Sequence, residues 1–363
     1  MRRPARSPRL TPKAVWYKPA VAPLQREMRR ARRARAARLA VFAGALGLLL
    51  AACTQGLPQD SLDPAGPVAE RQYELFTLVF WIAVGVFVIV EGLLVFALFR
   101  FRHREGREPR QVHGNTRLEV AWTIVPAVLL AGVAVPTVAT IFDLAGEPPS
   151  NALEVTVTGH QWWWEVEYQD EEVVTANEVH VPTDRPVVLT LLSDDVIHSF
   201  WVPRLAGKQD LVPGQTETLM FTAPEPGTYR GTCTEYCGLS HANMRFRVIA
   251  QEPGDFEAWV QDQTEQVVAQ PPEELQQLVT GTCMSCHQIR GLEAAAAPVQ
   301  AAPDLTHVGG RQTIAAGLFP NTPEDLARWL RDPPAVKPGS KMPDYDLTED
   351  QIDAMVEYLR SLQ

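Results

Sequence analysis

Apolar positions fall into distinct regimes along the chain. Residues 39–50 form a short apolar run. Residues 75–99 and 120–142 form two longer ones, each long enough to cross a bilayer as a helix of roughly 20 residues. From Leu153 to Ala250 the pattern changes to short runs with alternation, at residues 153–158, 187–192, 218–222 and 245–249, separated by Pro, Gly and Asp. That spacing predicts an all-β sandwich or barrel. Residues 251–272 are rich in Gln, Glu and Pro, end in Pro271-Pro272 and read as a linker. Helical spacing then returns, as in Ile352, Met355, Val356 and Leu359, while residues 294–302 are low in complexity and read as a loose insertion. The expected organisation is a signal peptide over 1–52, an extracytoplasmic segment over 53–73 and a transmembrane helix hairpin over 74–145. A β domain over 150–250, the linker over 251–272 and an all-α domain over 273–363 follow.

Charge orients this arrangement. Arg100, Arg102, Arg104, Arg107, Arg110 and Arg117 lie at the hairpin turn against Glu105, Glu108 and Glu119. Positive loops stay cytoplasmic, so both outer ends of the hairpin and all that follows face outward. Residues 29–38 are basic, the apolar run 39–50 follows, and Leu50-Ala51-Ala52-Cys53 closes it. This is the layout of a secretory signal peptide, here with a lipoprotein-type end that would make Cys53 the lipidated first residue. An ordinary signal peptide with a chance cysteine is the alternative, and Met28 is the start that leaves a signal of ordinary length. The expected address is a bacterial cytoplasmic membrane. Glu91 sits within the first span, where a carboxylate serves either a proton path or a packing hydrogen bond to a partner. The formal net charge is -10, yet residues 1–52 hold 13 Lys and Arg against one acid, Glu27, so the remainder carries 20 basic and 42 acidic residues. Such acidity argues against nucleic acid and favours a basic protein partner.

The five cysteines are one singleton, Cys53, and two close pairs. In Cys233-Thr-Glu-Tyr-Cys237-Gly-Leu-Ser-His241-Ala-Asn-Met244, with His198 upstream, two thiolates, two imidazoles and a thioether come together. Such donors select copper or zinc over magnesium or calcium. A mononuclear blue-copper site needs one cysteine; a second allows two bridging thiolates to hold two copper ions. Structural zinc has no use for Met244, and a Cys233–Cys237 disulfide leaves the histidines and Met244 without a role. The other pair, Cys283-Met-Ser-Cys286-His287, is a c-type haem attachment motif, with thioethers on both cysteines and His287 as proximal ligand. Met342 is the candidate second axial ligand, because Met355 belongs to a helical apolar stripe and Met284 lies inside the motif itself.

The Cys-x-Glu-x-Cys-Gly-x-x-His-x-x-Met run resembles the CuA loop of cytochrome c oxidase subunit II. Asp195-Val-Ile-His198-Ser-Phe-Trp-Val-Pro203 resembles that family's first CuA-histidine segment. Gly159-His160-Gln161-Trp162-Trp163-Trp164 is similar to its aromatic stretch, and Glu119-Val-Ala-Trp122-Thr-Ile-Val-Pro126 to the start of its second transmembrane helix. The likeness is collinear over about residues 70–250. It implies a cupredoxin-like Greek-key β domain with Cys233 and Cys237 as bridging thiolates and His198 and His241 as terminal ligands. Met244 and the Glu235 carbonyl would be weak axial ligands. It further implies that the Glu235 side chain contributes to a Mg2+ site shared with subunit I, that electrons enter at Trp162, and that Glu119 lies at a proton-path mouth. For Trp162 a core aromatic, and for Glu119 a helix-dipole carboxylate, are the plain alternatives. Residues 275–363 are similar to a small cytochrome c, with Pro303-Asp304-Leu305 like the segment that braces its proximal histidine.

Together these features predict a multi-domain electron-entry subunit of a caa-type respiratory oxidase. It would carry electrons from an external cytochrome c or other donor through covalent haem c to CuA and on to haem in subunit I. Oxygen reduction and proton translocation would reside in that partner, with subunit III alongside. The alternatives are the same role in another haem–copper reductase, such as one for nitric oxide, or a membrane-anchored copper carrier, which the haem motif fits poorly. A quinol oxidase subunit would lack the copper ligands, all of which are present here.

Overall fold

The computed structural model describes residues 36–38, 40–44, 47, 57–102, 106, 111, 113–265, 269–294 and 302–363. Cys53, Met28 and most of the signal segment lie outside the described residues, so their expected roles are not addressed by it.

Two helices, α1 (Pro67–Arg100) and α2 (Thr116–Leu144), form the hairpin. Pro67 occupies the first helical position, where its missing N–H costs nothing. The Asn115 side chain caps α2 by accepting from the N–H groups of Arg117 and Leu118, and Glu119 Oε1 accepts from Asn115 N at 3.3 Å. Both helices expose large apolar side chains such as Phe87, Leu93, Leu130 and Phe142, the surface a bilayer covers. Helix α1 begins two turns ahead of the expected span, inside the segment expected to precede the hairpin. The reason lies in its contacts: Ala65 N and Gly66 N donate to the Arg204 carbonyl at 2.7 and 3.1 Å, and Ala69 N to that of Leu205 at 3.3 Å.

The β domain is a sandwich of two five-stranded sheets. Its strands are β1 (Leu153–His160), β2 (Trp163–Tyr168), β3 (Val173–Ala176), β4 (Glu178–Pro182) and β5 (Val187–Ser193). They continue with β6 (His198–Trp201), β7 (Gln209–Leu211), β8 (Glu217–Phe221), β9 (Gly227–Cys233) and β10 (Arg245–Gln251). The sheet orders are β3-β2-β1-β5-β8 and β4-β10-β9-β6-β7, with β1/β5 and β4/β10 parallel and the other pairs antiparallel. Inward side chains of both sheets meet in an aromatic knot in which Trp164 packs edge-on against Phe200 and Phe246 at 5.6 and 5.3 Å.

The expected linker is half structured. Helix α3 (Pro253–Thr264) occupies its first part and docks on the sandwich, with Phe256 buried and Trp259 stacked on His180 at 4.1 Å. Phe256, Trp259 and Val260 share one helix face, and that apolar stripe is what a polar average composition conceals.

The C-terminal domain starts with α4 (Glu273–Gln277), which runs into a wide turn (Leu278–Thr282) and a tight turn (Cys283–Ser285). Helices α5 (Pro323–Arg331), α6 (Pro333–Val336) and α7 (Glu349–Ser361) follow. Helix α7 has a full capping box between Thr348 and Gln351. Its buried face of Ile352, Met355 and Leu359 joins Leu275, Val279 and Leu326 in a separate core. A two-stranded ribbon, β11 (Thr313–Ile314) and β12 (Phe319–Pro320), interrupts this helical set. It sits on the sandwich: buried Glu178 accepts from Thr313 N at 2.8 Å, Thr313 Oγ1 at 2.7 Å and Gln312 N at 3.1 Å.

Candidate metal centre and haem pocket

Strand β6 opens with His198, β9 closes with Cys233, and the loop to β10 carries Glu235, Cys237, His241 and Met244. The sandwich thus delivers one histidine and one cysteine on adjacent strands, since β6 pairs with β9, and the loop folds back to bring the rest. The two sulfurs lie 3.8 Å apart. His198 Nδ1 is 4.0 Å from Cys233 Sγ, and His241 Nδ1 is 3.6 Å from Cys237 Sγ. Met244 Sδ stands 3.8 Å from Cys237 Sγ, and the Glu235 carbonyl 3.2 Å from Cys233 Sγ. His198, Cys233, Cys237 and Met244 are buried.

The ring orientation of His198 is fixed from behind. Its Nε2 donates to Asp195 Oδ1 at 2.8 Å, which leaves the Nδ1 lone pair facing the sulfurs. Asp195 is held in turn by the N–H groups of Gln161 and Val196, both at 2.7 Å. The neighbouring Cys237 thiol, helped by His198, holds the Cys233 thiol well below its ordinary range despite burial, while the resulting negative sulfur pushes Cys237 up. Two thiols that cannot both ionise side by side are a pair that a shared cation completes. The donor set therefore fits two copper ions bridged by Cys233 and Cys237, with one histidine for each.

The second site is a cavity lined by Cys283, Cys286, His287, Leu305, Met342 and Tyr345. The tight turn and its closing residue bring Cys283 and Cys286 to the same cavity. His287 Nδ1 donates to the Pro303 carbonyl at 2.7 Å, so Nε2 carries the free lone pair. Burial keeps the ring below its ordinary range, in the neutral form that ligates a metal. Met342 and His287 line the same cavity, whereas Met355 is buried in the helical core. These residues fit a haem attached through Cys283 and Cys286.

The same cavity reaches the β domain, because Trp162 also lines it. The Trp162 indole N–H donates to the Cys237 carbonyl at 3.0 Å, beside Gln161 Nε2 at 2.6 Å. Lys337, buried, donates to the Trp162 carbonyl at 2.7 Å and to that of Ala315 at 3.0 Å. Burial pushes its amine down to about 7. The motif that contains Asp195 gives that residue no task of its own, and Lys337 lies outside every motif of the sequence. The three-residue spacing of Asp195 and His198 was a usable signal, whereas nothing around Pro338 marks Lys337. Glu119 lies in the first turn of α2, and the Glu235 side chain is half-buried beside the thiol loop.

Fold and site together define a membrane-anchored cupredoxin with a haem-binding domain at its C-terminal end. Three families match in succession: cytochrome c oxidase subunit II, transmembrane domain, over residues 56–140; cytochrome c oxidase subunit II, periplasmic domain, over 172–251; and cytochrome c over 273–363. The subunit 2 of cytochrome c oxidase from Alkalihalophilus pseudofirmus is 38% identical over 331 residues, covering 88% of this chain and 95% of that one. The corresponding subunit of Bacillus sp. strain PS3 is 40% identical over 343 residues, covering 88% and 96%. The crystal structure of the periplasmic domain of cytochrome oxidase subunit II from Bradyrhizobium japonicum is 29% identical over 32% of this chain and 95% of that one, with a TM-score of 0.31. The chain belongs to the cytochrome c oxidase subunit II family, in the form that carries a cytochrome c domain.

Proposed function

We propose that this chain is the electron-entry subunit of a respiratory terminal oxidase in a bacterial cytoplasmic membrane, with its β and cytochrome domains outside. When bound, haem c and the CuA pair supply one-electron carriers that link an external donor, such as a soluble cytochrome c, to haem in subunit I, where oxygen is reduced to water with proton translocation. The observation that carries this reading is Trp162, which lines the haem cavity while its indole N–H donates to the carbonyl of Cys237.

Each residue has a definite task in this reading. Cys283 and Cys286 would hold the haem covalently, and His287 and Met342 would supply the ligands to its iron. Cys233 and Cys237 would supply the shared thiolates for two coppers, His198 and His241 one imidazole each, and Met244 and the Glu235 carbonyl the weaker donors. Because Cys233, Cys237, Met244 and His198 are buried, these residues would hold the donor set nearly fixed during a change of charge, which favours rapid transfer. Trp162 is the electron-entry residue of the copper domain. The Glu235 carboxyl serves a Mg2+ ion shared with subunit I, Glu119 lies near a cytoplasmic proton-path mouth, Cys53 carries lipid, and subunit III completes the assembly.

The test is the low-temperature electron paramagnetic resonance spectrum of the purified full chain. Hyperfine structure from two equivalent copper nuclei beside a low-spin haem signal is expected. A single-nucleus copper pattern, or none, overturns the reading.

A further inference from the structure

The Trp162 ring lies against two glycines of different domains. The first is Gly238 of the thiol loop, at φ +116; a Cβ there would lie 3.0 Å from ring atom Cζ2. The second is Gly339 of the cytochrome domain, at φ +82; a Cβ there would lie 2.7 Å from Cη2 and 3.2 Å from Leu239 Cβ. Both positions need glycine twice over, for the left-handed backbone and for the closeness of the indole. The segment around Gly339 is fastened at several points. Ser240 Oγ of the thiol loop donates to the Pro338 carbonyl at 2.6 Å, and Lys341 Nζ lies 3.7 Å from Asp195, the carboxylate that orients His198. Lys337 makes the deepest attachment. Its amine spans the two domains, donating to Trp162 O on one side and Ala315 O on the other, and only 5% of the residue is exposed. An amine so buried persists only where carbonyls satisfy it. Immediately beyond the segment is Met342, which lines the haem cavity.

We propose that residues 337–341 form an internal docking strap, with Lys337 as its positioning residue, that seats the haem cavity on Trp162 and closes the Trp162 face to soluble electron donors. The inference rests on the electron route proposed above and deepens it. Trp162, at 8% exposure, offers no landing surface, so an external donor must deliver to the haem domain. The tether then does more than raise local concentration: it places one donor in one orientation on the copper domain.

Two readouts test this, the first on the purified full chain alone and the second on the assembled oxidase. The first does not depend on electron flow: hydroxyl-radical footprinting of Trp162, with Tyr236 of the same loop, 74% exposed, as the internal reference. Trp162 is expected to be strongly protected relative to Tyr236, and Lys337→Met to raise its labelling several-fold. The second is the first-order rate of copper reduction after photoreduction of the haem. Lys337→Met is expected to slow it by about tenfold or more, since small misplacements of reacting partners are costly, with haem and copper spectra unchanged. Gly339→Ala, which drives a methyl group against the indole, is expected to act alike and carries the test if the lysine variant does not assemble. Wild-type Trp162 labelled as readily as Tyr236, or variants that keep both protection and rate, overturn the strap. Protection as expected in the wild-type chain, with no transfer from haem to copper in its oxidase, leaves the strap standing and refutes the electron route instead.

Discussion

Asp195 receives the Nε2 proton of His198 at 2.8 Å and lies 3.7 Å from the ammonium of Lys341, the residue just before Met342. One carboxylate therefore touches the shell of the copper site and the edge of the haem loop. Outer partners of this kind set ligand orientation, and their loss typically weakens metal binding by about 10–100-fold. Asp195→Asn is expected to weaken copper uptake within that range, read by titrating copper into the apo full chain and following its near-infrared band. Unchanged affinity would show that His198 is oriented by the β6–β9 pairing alone.

Met342 lines the haem cavity together with His287. Replacing it by alanine leaves both motif cysteines in place, so the haem remains attached. A Met/His pair raises haem potential, so Met342→Ala is expected to lower the midpoint potential and shift the haem toward high spin. A redox titration with an unaltered midpoint would remove Met342 from the ligand set.

Glu178 accepts three hydrogen bonds, from Gln312 N, Thr313 N and Thr313 Oγ1, at a buried junction between sandwich and ribbon. In Glu178→Gln an amide NH2 must face at least one of those donors. The expected loss is about 1–3 kcal/mol at that junction. It should appear as faster proteolysis between α3 and α4 and a lower Tm, with the copper signal preserved. Equal cleavage rates in variant and wild type would mean that the junction does not depend on this carboxylate.

His180 is stacked on Trp259 and donates from Nδ1 to Gln251 Oε1 at 2.8 Å. Burial lowers its pKa from 6.5 to about 4. Between those values the unfolded chain binds a proton that the folded chain refuses. Stability from this residue is thus complete above about pH 6.5 and declines as pH falls toward 4, by on the order of 2–3 kcal/mol. Tm measured across that window should fall more steeply for wild type than for His180→Gln. Parallel curves would contradict the assignment.

Chemistry was more legible in the sequence than contact. The thiol loop and the haem motif are contiguous runs whose donor types and spacings carry their own meaning, and the period-two runs of the β domain became strands. The contacts that join the domains were not legible, because they connect distant positions: Lys337 meets Trp162 across 175 residues, Thr313 meets Glu178 across 135, and Pro338 meets Ser240 across 98. No local pattern encodes such a pairing. Helix α3 was hidden differently, by Gln and Glu that outvote a three-residue apolar stripe in any average over the segment.

Helix α1 is 34 residues long, about 50 Å at 1.5 Å per residue, against a hydrocarbon layer of about 30 Å. Its surplus length projects on the outer side, where its first turn is bonded to the Arg204 and Leu205 carbonyls and Gly66 lies so close to Thr222 O that a Cβ would stand 2.6 Å away. The helix thereby works as a mast stepped rigidly into the sandwich. The height of the thiol loop above the apolar part of α1 is thus set by covalent geometry and main-chain bonds, as a fixed stand-off and not as the reach of a tether.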